Sequence, residues 1–168
     1  MKGELLNMKK RDLISLHNSL TTLEGRPFSV KFSYFIAKNK VMLKNEFTAL
    51  DVARKPDPKF VEFDTERAKL AHDMSDKDEK GQAKIENNNF IIVEKVNEFK
   101  DALEALKEKY SKAITDQEKN IKDFEAILNE EFEYKGPKID FKDIPAGIEP
   151  SILEDLIIAD LIIEEKSE

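Results

Sequence analysis

From Val96 to Phe132 an apolar or aromatic residue recurs every three or four positions: Val96, Phe99, Leu103, Leu106, Tyr110, Ile114, Ile121, Phe124, Leu128 and Phe132. One step, between Ile114 and Ile121, is filled by the polar Gln117. Charged residues occupy the intervening positions, with Glu104 before Lys107, Glu108 before Lys112 and Glu118 before Lys122 at the spacing that supports an exposed helix face. The pattern predicts one unbroken amphipathic helix over 94–132. A helix of that length cannot bury its stripe against itself, so it needs a partner of similar length.

Upstream, Leu13, Leu16, Leu20 and Leu23 predict a first helix over 8–24, closed by Gly25 and by Pro27 just beyond. Ser29 then caps a second helix reaching Arg54, with Val30, Phe32, Phe35, Ile36, Leu43, Phe47 and Leu50 as its apolar set. Pro56 and Pro58 interrupt it, and Asp57 caps a restart over 58–74 whose inner face is Phe60, Phe63, Leu70 and Met74. Arg67 falls on that stripe and is expected to snorkel. Residues 76–81 form a polar turn, and Asn87-Asn88-Asn89 between two apolar runs predicts a small β-hairpin.

These elements predict a mainly α fold. Its centre is a long antiparallel helical hairpin of coiled-coil type, 29–74 against 94–132, with the β-hairpin at its tip. At 1.5 Å per residue both arms measure about 60–70 Å. An N-terminal helix and a short C-terminal β/α appendix complete the expectation. At the end of the long helix Glu131–Tyr134 is expected to pair with Lys138–Phe141, and Glu149-Pro150-Ser151 opens a last helix. The expected domains are 1–135, the helical hairpin, and 136–168, an acidic appendix packed on the same domain or on a partner.

Composition narrows the function. Charged residues are 38 % of the chain against only five glycines and six prolines, a mix suited to long solvated helices. There is no cysteine, hence no disulfide, thiolate metal site or thiol nucleophile. No apolar run approaches the roughly 18 residues of a membrane span, and no membrane association is expected. The net charge of −7 is unevenly spread: residues 1–55 carry eleven Lys/Arg against five Asp/Glu, and residues 129–168 carry four against twelve. Either the two ends neutralise each other in the fold or sit separately in solvent, or one of them is a docking surface.

Candidate chemistry is sparse. His17 and His72 are far apart and in no metal-binding spacing. The turn from Asp76 fails as a calcium loop, because Lys80 stands at the fifth position and Asn87 at the twelfth. No Gly-rich phosphate loop, GxSxG elbow or isolated carboxylate pair is present. No enzymatic activity, metal or other cofactor is expected. Lys31, Lys38, Lys40 and Lys44 form a candidate basic surface, yet Phe28 and Phe32 among them fit a core better than base stacking, so nucleic acid is not the expected partner. Leu153, Leu156, Ile157, Leu161 and Ile162 form a short segment apolar on most sides, the candidate interface.

The order of segments resembles small proteins of tailed bacteriophages and prophages similar to the DUF1617-type family. The resemblance rests on Val30-Lys31-Phe32-Ser33-Tyr34-Phe35-Ile36-Ala37-Lys38-Asn39 after Leu13–Leu23, then Asp78-Glu79-Lys80-Gly81, then Asn129-Glu130-Glu131-Phe132-Glu133, and it covers about residues 10–135. It implies a viral context, cytoplasmic in an infected or lysogenic cell or attached to the virion, and it carries no site residues. The expected function is a non-enzymatic accessory or assembly protein that contacts itself, as a homo-oligomer, or another phage or host protein. The alternative is an acidic inhibitor of a host defence system that binds or sequesters an enzyme, a nucleic acid or a signal nucleotide. A metal- or nucleotide-dependent activity ranks third.

Overall fold

A computed structural model describes residues 8–163. Among the described residues the chain is mainly helical, 64 %, with six α-helices and small two-stranded sheets. It divides into two compact units. One consists of residues up to Arg54 and from Asp123 onward, the other of Lys55–Lys122. This division differs from the boundary at residue 135 read from the sequence. The reason lies in the core: Ile139, Ile148, Ile152, Leu156, Ala159 and Leu161 share one hydrophobic cluster with the N-terminal leucines.

In the first unit, β1 (Met8–Lys9) leads directly into α1 (Lys10–Leu23). The Lys9 amide donates to the Asp12 carboxylate at 2.9 Å, which closes the first turn. Leu13, Leu16, Leu20 and Leu23 are all fully buried, and Gly25 leaves the helix at φ 80°, a left-handed conformation that favours glycine. Ser29 caps α2 (Val30–Ala53) by accepting from the Phe32 amide at 3.3 Å. The main helical partner of α2 is α1, not the downstream helix that the stripes suggested. Its buried residues Phe32, Phe35, Ile36, Leu43 and Leu50 join the leucine cluster.

The second unit begins with α3 (Pro58–Met74), whose first turn is capped by Asp57 accepting from the Lys59 amide at 2.7 Å. The Asp78 side chain accepts from the amides of Lys80 and Gln82, each at 2.8 Å, and Gly81 completes the turn at φ 74°. Strands β2 (Ile85–Glu86) and β3 (Asn89–Phe90) then pair antiparallel across Asn87 and Asn88, at φ 49° and 63°. Two successive left-handed asparagines are what a tight two-residue hairpin demands. The Asp76 carboxylate ties this tip to the next helix by accepting from the amides of Val93 and Glu94.

The stripe over 94–132 is not one helix. It is α4 (Val96–Lys109) and α5 (Ser111–Asn129), separated by Tyr110 at φ −109° and ψ 17°. Neither proline nor glycine marks the break. The Tyr110 ring rests on Phe63, with centroids 5.8 Å apart, and its hydroxyl donates to Glu66 at 2.8 Å. Lys109 donates to the same carboxylate at 2.8 and 3.0 Å. These anchors on α3 hold the irregular residue in place, and α3 packs on α4.

Past α5 the pairing also departs from expectation. β4 (Glu131–Phe132) pairs antiparallel with β1, not with the segment that follows it. β5 (Ile139–Asp140) pairs parallel with β6 (Ile162–Ile163), and α6 (Pro150–Ile158) lies between them in sequence and packs on α1. The exit from α6 turns through Asp160 at φ 53°, where the Leu161 amide reaches back to the Leu156 carbonyl at 2.9 Å.

Candidate functional site

The five apolar residues singled out near the C-terminus do not stand together on the surface. Leu156 and Leu161 are buried in the first unit's core, and Leu153 and Ile162 pack against that core. Ile157 alone of the five faces outward, 58 % exposed. The physical reason is the seat of α6 on α1, where the Ser19 hydroxyl donates to Asp155 at 2.5 Å, together with the β5–β6 pairing that fixes Ile162. An apolar run that looked surplus in sequence is the closing layer of the core.

The four candidate lysines do not form one basic patch. Lys31 pairs with Asp143 and, at 3.5 Å, with Asp140; Lys40 pairs with Glu24. Lys38 and Lys44 have no acidic partner among the described residues and stand exposed. The charge asymmetry of the chain is largely spent inside the first unit. Lys10 meets Glu130 at 2.9 Å, Arg26 holds Glu149 through two bonds of 2.8 and 3.0 Å, and Lys138 meets Asp160. The Arg26 guanidinium holds the Glu149 carboxyl below its usual range, and the Lys31 ammonium does the same for Asp143.

What remains open is the outer face of α2. Val30, Tyr34, Val41 and Val52 are 88 %, 65 %, 69 % and 60 % exposed. With exposed Ala37 and Thr48 they fall within about 60° of one another on the helix, at about 100° per residue. This is an apolar ladder about 30 Å long, opposite the side that carries Phe32, Phe35, Leu43 and Leu50. Lys38 and Lys44 flank it on either side. The sequence pattern put Val30 in one apolar set with Phe32, Phe35, Leu43 and Leu50 and did not separate out the ladder. The available signal was that α2 carries two apolar periodicities, and Val41 and Val52 fit only the second.

Two open depressions lie in the second unit. One, of about 520 Å³, is lined by Asp57, Lys59, Lys109, Tyr110, Ser111, Lys112 and Asp116. Its lysines are each engaged, with Glu62, Glu66 and Asp116 respectively, so it presents no spare cation. The other, of about 570 Å³, runs along α3 and α4 between Leu70 and Leu106.

The histidines lie apart from these faces. His17 stacks on Phe47 with centroids 3.6 Å apart, and its buried Nδ1 has no hydrogen-bond partner. Burial, then the nearby Lys40 charge, pushes its pKa below the ordinary value. His72 stands beside Asp73 at 3.1 Å and edge-on to Phe90. Among the described residues no group of three or more His, Cys, Asp or Glu side chains could hold a metal ion, and no helix is long and apolar enough to cross a membrane.

Comparison with protein-family models, with curated proteins and with solved structures finds no match to this chain.

Proposed function

We propose that this chain is a non-enzymatic binding protein that docks a partner protein on the outer face of α2. The observation that carries the reading is the ladder of Val30, Tyr34, Val41 and Val52, exposed at helical spacing and flanked by the unpaired Lys38 and Lys44. Covering such side chains stabilises a complex by roughly 1.5–3 kcal/mol each, before the cost of association. The flanking charges select the occupant: an amphipathic helix with an apolar stripe and acidic edges, which supplies the missing partners for both lysines. A second copy of the α2 face would set lysines against lysines.

In the biological setting suggested by the resemblance to tailed-phage and prophage proteins, this is an accessory or assembly role. The helices α3 and α4, joined by the β2–β3 tip, serve in this reading as the two arms of a helical hairpin. The alternative of an acidic inhibitor has less to work with, because Glu130, Asp143, Glu149 and Asp160 already neutralise cations of the chain's own first unit.

The test uses two synthetic helical peptides with the same Leu/Ile stripe, one flanked by glutamates and one by lysines, titrated against the full chain by fluorescence anisotropy. The acidic peptide is expected to bind and the basic one to fail. Val41→Glu is expected to abolish binding while leaving the helical circular dichroism unchanged. Equal binding of both peptides, or equal binding by the variant, would overturn the reading.

A further inference from the structure

The second unit has almost no interior. Within Lys55–Lys122, Phe63 and Tyr110 are the only buried hydrophobic side chains among the described residues, and α4 buries none at all. Yet α3 and α4 carry regular apolar stripes, of which Leu70, Leu103 and Leu106 stay half-covered. Two helices packed on each other cover only part of each stripe. A layer of two more helices covers the remainder, which is the reason such pairs assemble into four-helix bundles.

We infer that the depression along α3 and α4 receives the same face of a second copy of this chain, so that two α3–α4 pairs close into a four-helix bundle. The floor is Leu70, Ala102, Ala105 and Leu106, and its alanines allow close approach of another helix. The rim identifies the occupant. It carries Glu66, Lys69, Asp73 and Lys109, two acids and two bases, so the patch is complementary to itself, as a two-fold interface requires. Glu66 and Lys109 already bond to each other within one chain. Among the described residues Lys69 makes no ion pair, and Asp73 pairs only with the adjacent His72. The two stand one turn apart on α3. With a two-fold axis crossing the interface midway between their levels on α3, Lys69 of each copy meets Asp73 of the other. A foreign partner would need to match both signs in this order; a second copy does so by symmetry. This interface does not depend on the α2 face, which lies in the other unit.

Sedimentation equilibrium of the full-length chain tests the inference. The wild type is expected at twice the 19.4 kDa chain mass, dissociating on dilution. Ala105→Glu places a charge on the floor at an exposed helical position, and Lys69→Glu makes the rim mostly acidic. Each is expected to weaken the dimer about tenfold or more, with unchanged helical content. Combining Lys69→Glu with Asp73→Lys reverses the pair and is expected to restore dimerisation. A wild type at single-chain mass throughout, a different stoichiometry, insensitivity to both single variants, or failure of the double variant to recover would each overturn it.

Discussion

Tyr134 donates its hydroxyl hydrogen to Oδ1 of Asn39, a side chain with no solvent exposure in the middle of α2. The Asn39 amide in turn donates to the Phe35 carbonyl at 2.9 Å and the Pro137 carbonyl at 3.1 Å. One buried amide therefore fastens the chain after β4 to the helix. Burial pushes the Tyr134 phenol well above its ordinary pKa, so it stays a donor throughout the usual pH range. Gly136 completes the arrangement, because a Cβ there would stand well inside contact distance of both Asn39 Oδ1 and the Tyr134 hydroxyl.

This cluster should behave as a unit. Tyr134→Phe is expected to cost about 1–2 kcal/mol and Asn39→Ala about 1–3 kcal/mol, since each leaves buried groups without partners. The double variant should cost less than the sum, because the second change removes a group the first has already orphaned. Gly136→Ala should reach the upper end of the about 1–3 kcal/mol typical of overpacking. Urea denaturation monitored by circular dichroism measures all four; strict additivity would refute the coupling.

Neighbouring positions on one helix should separate cleanly. Leu43→Ala, in the core, is expected to lose about 2–5 kcal/mol. Val41→Ala, on the outer ladder, should stay within about 0.5 kcal/mol of the parent. The same contrast applies on α6 between Leu156→Ala and Ile157→Ala. Parity within either pair would mean that the assignment of faces is wrong.

Removing residues 136–168 takes Ile139, Ile148, Ile152, Leu156 and Leu161 out of the core shared with α1 and α2. The truncated chain is expected to lose protection against hydrogen exchange over Leu13–Leu23 while α3 and α4 keep theirs. Retained protection in α1 would show that the segment is dispensable for the first unit.

Acid should act in two stages. Burial and Lys40 hold His17 below its ordinary 6.5, so the folded state favours the neutral ring. Its contribution is complete above about 6.5 and declines as pH falls from there towards the folded value. Glu66, Asp143 and Glu149 are held below their ordinary values by Lys109, Lys31 and Arg26. Their contribution is present above ordinary carboxylate values of 3.8–4.5 and is lost as pH falls below them. His17→Phe, which keeps a ring against Phe47, is expected to flatten the first decline and leave the second. Identical melting temperatures against pH between 7 and 5 in both proteins would disprove this.

Local signals made much of the fold readable. Gly25 and Pro27, Ser29, Asp57-Pro58 and Glu149-Pro150 mark helix ends through backbone chemistry, and Asn87-Asn88 marks the hairpin by tolerance of left-handed angles. Pairing was not readable. β4, β5 and β6 are two residues long and carry no periodicity, and their partners lie far away in sequence. The break at Tyr110 arises from tertiary anchoring on Phe63 and Glu66, which no local rule encodes. The outer ladder of α2 was hidden because an apolar residue does not announce which side of a helix is the outside; only the position of α1 decides that.

The discontinuity of the first unit governs how the protein must be made. Its leucines on α1 emerge from the ribosome early, whereas the Ile152 and Leu156 that cover them emerge only after the whole of Lys55–Lys122 has been translated. The second unit is contiguous, so all of its own segments are present once Lys122 has been translated. Throughout that interval α1 and α2 stand with a greasy surface bare. An apolar surface left uncovered in this way is prone to aggregation, so slowed elongation past Lys122 is expected to raise it.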